Sequence, residues 1–180
     1  MVIALAGRRI DSEDYDVKRF PLTNVSKVEK EMEVLFYEEN VTRLICSGAN
    51  GADLIAIKAA HSLGISCTMV LPFDHKTFKK VSVMDRPGNW EDLFDKYYDY
   101  LNTQNNVKIL NLPTSDPYAF NKTSTGILDC AAQFSHEENT EIMQAVVVWD
   151  GRPKDTDDAT FAFYSEAQQR NIPVIEIMTI

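Results

Sequence analysis

Six short, β-branched apolar runs dominate this chain, and none of them alternates strictly with polar residues. They are Val2–Ala6, Arg43–Cys46, Ser66–Leu71, Val107–Leu110, Ala145–Trp149 and Pro173–Ile177. Most stop at a glycine, a proline or an aspartate. A strand with one wet face alternates, whereas a strand covered on both faces reads as a continuous apolar run. Helical patterns fill the intervals. Val25, Val28, Met32 and Leu35 form one stripe, Ala52–Leu63 is Ala-rich and closes on Gly64, and 118–138 and Ala159–Arg170 complete the set. Strand–helix alternation over all 180 residues predicts one α/β domain. Its expected form is a doubly wound, mostly parallel Rossmann-like sheet with helices on both faces. Residues 2–6 and 145–149 are expected as its central strands.

The stretch 73–106 breaks this rhythm and reads as a helical insertion. Within it Asn89–Leu101 carries Trp90, Phe94, Tyr97, Tyr98 and Tyr100. Such aromatic density predicts a lid across the cleft or a homo-oligomer contact.

Charge and cysteine usage narrow the partners. A formal net charge of −9 with no basic run disfavours a nucleic-acid backbone as partner, yet leaves room for a local basic pocket that takes a small anion. No window approaches the roughly 18 apolar residues of a membrane span. The start, MVIALAGRRID, has no basic region ahead of its apolar run, so no signal peptide is expected. Cys46, Cys67 and Cys130 lie in apolar segments and read as reduced, buried thiols of a cytoplasmic protein.

In doubly wound folds ligands sit outside the carboxyl ends of the strands. Four segments fall there. Gly7-Arg8-Arg9 offers a close backbone approach and two forked donors for an anion. Ser47-Gly48-Ala49-Asn50-Gly51 precedes a helix and presents N–H groups at its positive end, so Arg8 and this loop are expected to form one anion site. Asp53 either bonds a sugar hydroxyl or only favours the helix dipole. Pro72-Phe73 places an aromatic that either stacks on a ligand or packs the insertion. Trp149-Asp150-Gly151 opens a loop running through Lys154, Asp155, Asp157 and Asp158, which reads as a solvated loop with a helix cap; no metal and no cofactor is expected there. There is no Gly-x-Ser-x-Gly elbow, and Glu166 reads as a solvated helix face.

Together these segments resemble the SLOG (SMF/DprA–LOG) superfamily of Rossmann-like domains. Ala6-Gly7-Arg8-Arg9-Ile10-Asp11 with Arg19-Phe20-Pro21 is similar to the start of such domains. Ser47-Gly48-Ala49-Asn50-Gly51-Ala52-Asp53-Leu54 matches their S/G-G-x-x-G-A-D loop, Leu71-Pro72-Phe73 with Phe78 and Ser82-Val83 their LPF…F…SV stretch, and Val148–Pro153 their WDGRP segment. The resemblance implies binding or sensing of a nucleotide-derived ligand. The ligand's phosphate would sit on Arg8, Arg9 and the glycine loop, its ribose on Asp53, and its base beside Phe73 or Trp149. It also implies an effector protein in a bacterial signalling or defence system. The alternative it carries is a LOG-type hydrolase that cleaves the N-glycosidic bond of nucleoside monophosphates. The paired glycines of the hydrolase's PGGxGT loop are absent between Gly151 and Thr160, which favours binding over hydrolysis.

Overall fold

A computed structural model describes residues 1–137, 143–154 and 157–180. Among them lie six parallel strands: β1 (Val2–Gly7), β2 (Arg43–Cys46), β3 (Ser66–Leu71), β4 (Val107–Ile109), β5 (Met143–Trp149) and β6 (Val174–Met178). Their order across the sheet is β4-β3-β2-β1-β5-β6, with every neighbouring pair parallel. The chain works outward from β1 to β4, then returns to place β5 on the other side of β1. This is the doubly wound, Rossmann-like α/β arrangement, and β1 and β5 are central as their sequences predicted.

The unbroken apolar runs have a simple physical origin. Successive side chains of a strand point to opposite faces, so each run feeds two cores at once. Ile3 and Leu5 of β1 and Val146 and Val148 of β5 enter one core. Val2, Ala4 and Ala6, with Ala145, Val147 and Trp149, enter the other. Helices α1 (Val25–Glu38), α2 (Ala52–Ser62) and α4 (Trp90–Thr103) cover the first face, and α5 (Ala119–Glu137) and α6 (Ala159–Gln169) the second. The short α3 (His75–Ser82) lies between β3 and α4. No helix among the described residues is long and apolar enough to cross a membrane.

The expectation for 89–101 is corrected. Helix α4 is the crossover from β3 to β4, and it buries Trp90, Phe94, Tyr97 and Leu101 against the sheet and α2. Trp90, Phe94 and Tyr97 belong to the core of that face, Tyr98 is half-buried and Tyr100 exposed, and no α4 residue lines the cavity at the strand ends. The sequence pattern misled because Trp90, Phe94, Tyr97 and Leu101 recur at helical spacing, which serves a domain's own core as well as an interface. The three cysteines are free and buried. Burial pushes the Cys46 thiol well above its ordinary value, and that of Cys67 up to about 12.

Gly7 is where the chain is tightest. A Cβ there would lie 2.4 Å from Ala52 Cβ and 2.6 Å from the Val148 carbonyl oxygen. The start of α2 therefore abuts the end of β1, and the Ala52 N–H donates to the Arg8 carbonyl at 3.1 Å. Gly64, by contrast, has φ +71° and open space around it. Gly7→Ala is expected to destabilise by roughly 3 kcal/mol through overpacking. Gly64→Ala should lose about 1 kcal/mol through backbone strain alone. Urea unfolding midpoints at matched slopes measure both.

Candidate functional site

A cavity of about 250 Å³ opens at the carboxyl ends of β1 and β2, beside the reversal point of the sheet. The β1 end supplies Ala6, Gly7, Arg8 and Arg9, and the next loop Ser47, Ala49 and Asp53. Helix α3 adds Phe78, Val81 and Ser82, and α5 adds Phe120, Thr123, Ser124 and Ile127. The α6 loop closes it with Lys154, Asp157, Asp158 and Thr160. One wall is thus apolar and aromatic, another carries hydroxyls, and cations stand at the rim.

Arg8 is almost fully buried, and its guanidinium is already engaged. Nε donates to Asp150 Oδ1 at 3.2 Å, one terminal nitrogen to Asp158 Oδ1, and the other to the Arg152 carbonyl. Arg19 reaches the same centre, donating to Asp150 Oδ2 at 3.0 Å and to the Arg152 carbonyl at 2.8 Å. Asp158 also accepts the Phe161 and Lys154 N–H groups and so caps α6. Burial acts to raise its carboxyl, but the bond from Arg8 and the two N–H groups outweigh that and hold it below the usual range. Arg8 lines the cavity, yet its charge is matched within the protein. The forked donor expected for a ligand holds the β5–α6 loop instead, because two carboxylates meet it in a desolvated place.

The glycine loop is likewise turned toward the protein. Gly51 has φ +84°, and a Cβ on it would meet the Arg8 carbonyl at 2.7 Å. A Cβ on Gly48 would press on Met69 and Phe94 at 3.0–3.1 Å, beneath the cleft rather than in it. Asn50 is buried: its Oδ1 accepts the Ile10 N–H at 3.1 Å, and its Nδ2 donates to the Ser82 carbonyl at 2.9 Å. It pins three segments together. Neither Gly48, Asn50 nor Gly51 reaches the cavity wall.

Asp53 differs from its loop. It is buried and lines the cavity; one oxygen, Oδ2, accepts the Ala49 N–H at 3.2 Å. The other, Oδ1, is buried with no partner. Burial pushes the carboxyl up to about 7, against a smaller lowering from the Ala49 bond. A buried acid without a cation is destabilising, and Asp53 carries that cost at the cavity wall.

Of the other expected contacts, Gly7, Arg9, Ser47 and Ala49 lie in the cavity wall, and Pro72, Phe73, Trp149, Asp150 and Gly151 do not. Phe73 sits behind Phe78 and Phe120, at ring-centre distances of 6.4 and 6.1 Å. Trp149 belongs to the second core, where it stacks on Tyr164 and donates from Nε1 to Glu176 at 2.8 Å. Asp150 is committed to Arg8 and Arg19. Gly151 forms an exposed turn with φ +74°. Glu166 lies outside the cavity, bonded to Thr125 and Arg170. Among the described residues no group of His, Cys, Asp or Glu is placed to hold a metal ion, and Asp155 falls outside those residues.

Sequence reasoning missed Thr123, Ser124 and Phe120, and gave Lys154 no role at the site. Thr123 and Ser124 are adjacent hydroxyls in a buried part of α5, where their side chains donate to helix carbonyls and leave lone pairs free. The run of three hydroxyls Thr123-Ser124-Thr125 in α5 was the available signal. Only the crossing of α5 under β1 gives that signal a place.

No family model and no curated protein matches the chain. Among solved structures it is similar to DNA processing protein A (DprA) from Streptococcus pneumoniae, at 14% sequence identity and a TM-score of 0.45. The match covers 96% of this chain and 57% of that one, so the chain spans little more than half of that protein's structure. A likeness of this degree says nothing about activity.

Two outcomes follow from this geometry. Arg8→Ala leaves the buried Asp158 without its cation and Asp150 with Arg19 alone, and should destabilise the fold by about 3–5 kcal/mol. Arg8→Lys should rescue little of it, because one ammonium cannot span three acceptors in a plane. Denaturant titration reads both. For Asp53 the folded value is raised from 3.8 to about 7, so the folded state holds the proton longer than the unfolded one. Its stabilising contribution is therefore complete below pH about 4 and is lost as pH rises to about 7, by at most ~4 kcal/mol. Asp53→Asn keeps an acceptor for Ala49 and never ionises. Its melting temperature should rise relative to the parent as pH moves from 5 to 8, and melting curves across that range check it.

Proposed function

We propose that this chain binds a nucleotide-derived small molecule in the cavity at the carboxyl ends of β1 and β2. The observation that carries this reading is the unpartnered Oδ1 of the buried Asp53 in a residue that lines the cavity. An unsatisfied acceptor in such a place suits a ligand hydroxyl, as a ribose would offer. Phe78, Phe120 and Ile127 give an apolar wall suited to a base, and Thr123, Ser124 and Thr160 give polar contacts. A volume of about 250 Å³ favours a ligand of mononucleotide size over a nucleic-acid strand. The buried free thiols suit a reducing, cytoplasmic setting. A ligand-sensing module acting with an effector protein is the role we assign to such a site.

One observation favours the hydrolase as a second reading. A carboxyl raised to about 7 can lend a proton to a leaving base, as N-glycosidic cleavage requires. One experiment separates the two. The protein is titrated calorimetrically with adenosine, AMP, ADP and ADP-ribose at pH 7, and each mixture is chromatographed for free base. Binding without free base supports the sensor, and free base formed by the parent but not by Asp53→Asn supports the enzyme. Asp53→Ala should weaken nucleotide binding by about 1.5–3 kcal/mol, roughly ten- to a hundredfold. Absence of any heat or melting shift across the series would overturn the reading.

A further inference from the structure

The cleft continues beyond the cavity. A shallow pocket of about 20 Å³ adjoins it and shares Arg8, Arg9 and Lys154 in its wall. Ile10, Asp11, Tyr15, Arg19 and Arg86 complete the lining. Five cations thus converge on one small opening in a chain whose net charge is −9. The space is too small for a sugar or a base and admits little more than an oxygen or two of a phosphate.

The ion pairs nearby leave one of these cations without a partner. Asp150 and Asp158 take Arg8 and Arg19. Asp85 serves Arg9 at 2.6 Å and Arg86 at 2.9 Å, and also accepts from Asn50. Asp11 lines the pocket, but its oxygens accept the Arg19 and Phe20 N–H groups. Three carboxylates therefore form ion pairs with four arginines, and Lys154 is left over. Among the described residues no salt bridge reaches its ammonium. Desolvation lowers its pKa, as do Arg8, Arg9 and Arg19, against an opposing pull from Asp158. Arg86 keeps a buried Nε without an acceptor while its guanidinium lies 5.6 Å over the Tyr15 ring. Crowded like charges with unused donors favour an anion, and a phosphate oxygen satisfies several such donors at once.

Building on the reading of the cavity as a nucleotide site, we infer that this basic pocket is a phosphate subsite. Arg86, Arg19 and Lys154 hold the terminal phosphate of the ligand while its sugar and base occupy the cavity. The ligand is thereby a nucleotide that carries a phosphate or diphosphate arm, and a bare nucleoside fills only half of the cleft. The anion sits on side chains beside β1, not on the 47–51 loop, whose Ala49 and Asn50 N–H groups are taken by Asp53 and the Ser82 carbonyl.

The test is calorimetric titration of the full chain at pH 7 and fixed low salt with inorganic pyrophosphate, adenosine, AMP and ADP. The variants are Lys154→Ala, Arg86→Gln and, on the exposed face of α1, Lys30→Ala as a control for the charge change alone. Lys154 is exposed, so its loss should leave the fold intact. Pyrophosphate and ADP should bind the parent, and Lys154→Ala and Arg86→Gln should each weaken both about tenfold or more. Adenosine binding and the Lys30→Ala control should not change. If ADP binds the parent and both variants equally, or adenosine binds the parent as tightly as ADP, the subsite is overturned while the cavity reading stands. If pyrophosphate binds and the variants lose it, but no nucleotide binds more tightly than pyrophosphate, the subsite stands and the cavity reading falls. If neither pyrophosphate nor any nucleotide binds, both fall.

Discussion

The buried guanidinium of Arg8 holds together the two halves of the sheet's functional end. It leaves β1 and binds two carboxylates and a carbonyl of the loop between β5 and α6. Asp158 then does double duty, since the carboxylate that receives Arg8 also caps α6. Asp150 extends the network to Arg19, and the Asp11 carboxylate orders the backbone at Arg19 and Phe20. Lys154, Asp157 and Thr160 come to the cavity because this loop is anchored. A buried ion network is poor evidence of added stability, but removing one member strands the others. Its use here is positional.

A second constraint is the approach of α2 to β1. Gly7 and Gly51 are glycines because backbone and Ala52 occupy the space where a side chain would go. The helix start therefore satisfies its first N–H groups on the protein: Ala52 donates to the Arg8 carbonyl. What looks like a phosphate cradle is a strand–helix joint. Asp53, in the first turn of the helix, is the part of that motif left with an unpaired acceptor.

The resulting cleft is electrically mixed. Its wall joins a carboxyl raised to about 7 with hydroxyls, two phenylalanines and three cations, and the adjoining pocket adds Arg19 and Arg86.

The fold class, the parallel sheet, the central place of β1 and β5 and the helix spans were legible in the sequence, because they follow from the two local periods of apolar residues. Gly7, Arg8, Arg9, Ser47, Ala49 and Asp53 were also legible, since strand ends mark where a doubly wound sheet keeps its cleft. What the sequence could not determine was which donors at those ends are free. Arg8 and Asp150 are 142 residues apart, and Asn50 and Ser82 are 32 apart; no local pattern says that they meet. Trp149 and Phe73 follow the strand ends in sequence but face the cores, and α4 is a crossover helix rather than a lid. Periodicity tells which side chains are buried, whereas only the packed structure decides what each polar group is buried against. That pairing leaves Asp53 Oδ1 and Arg86 Nε buried without a partner.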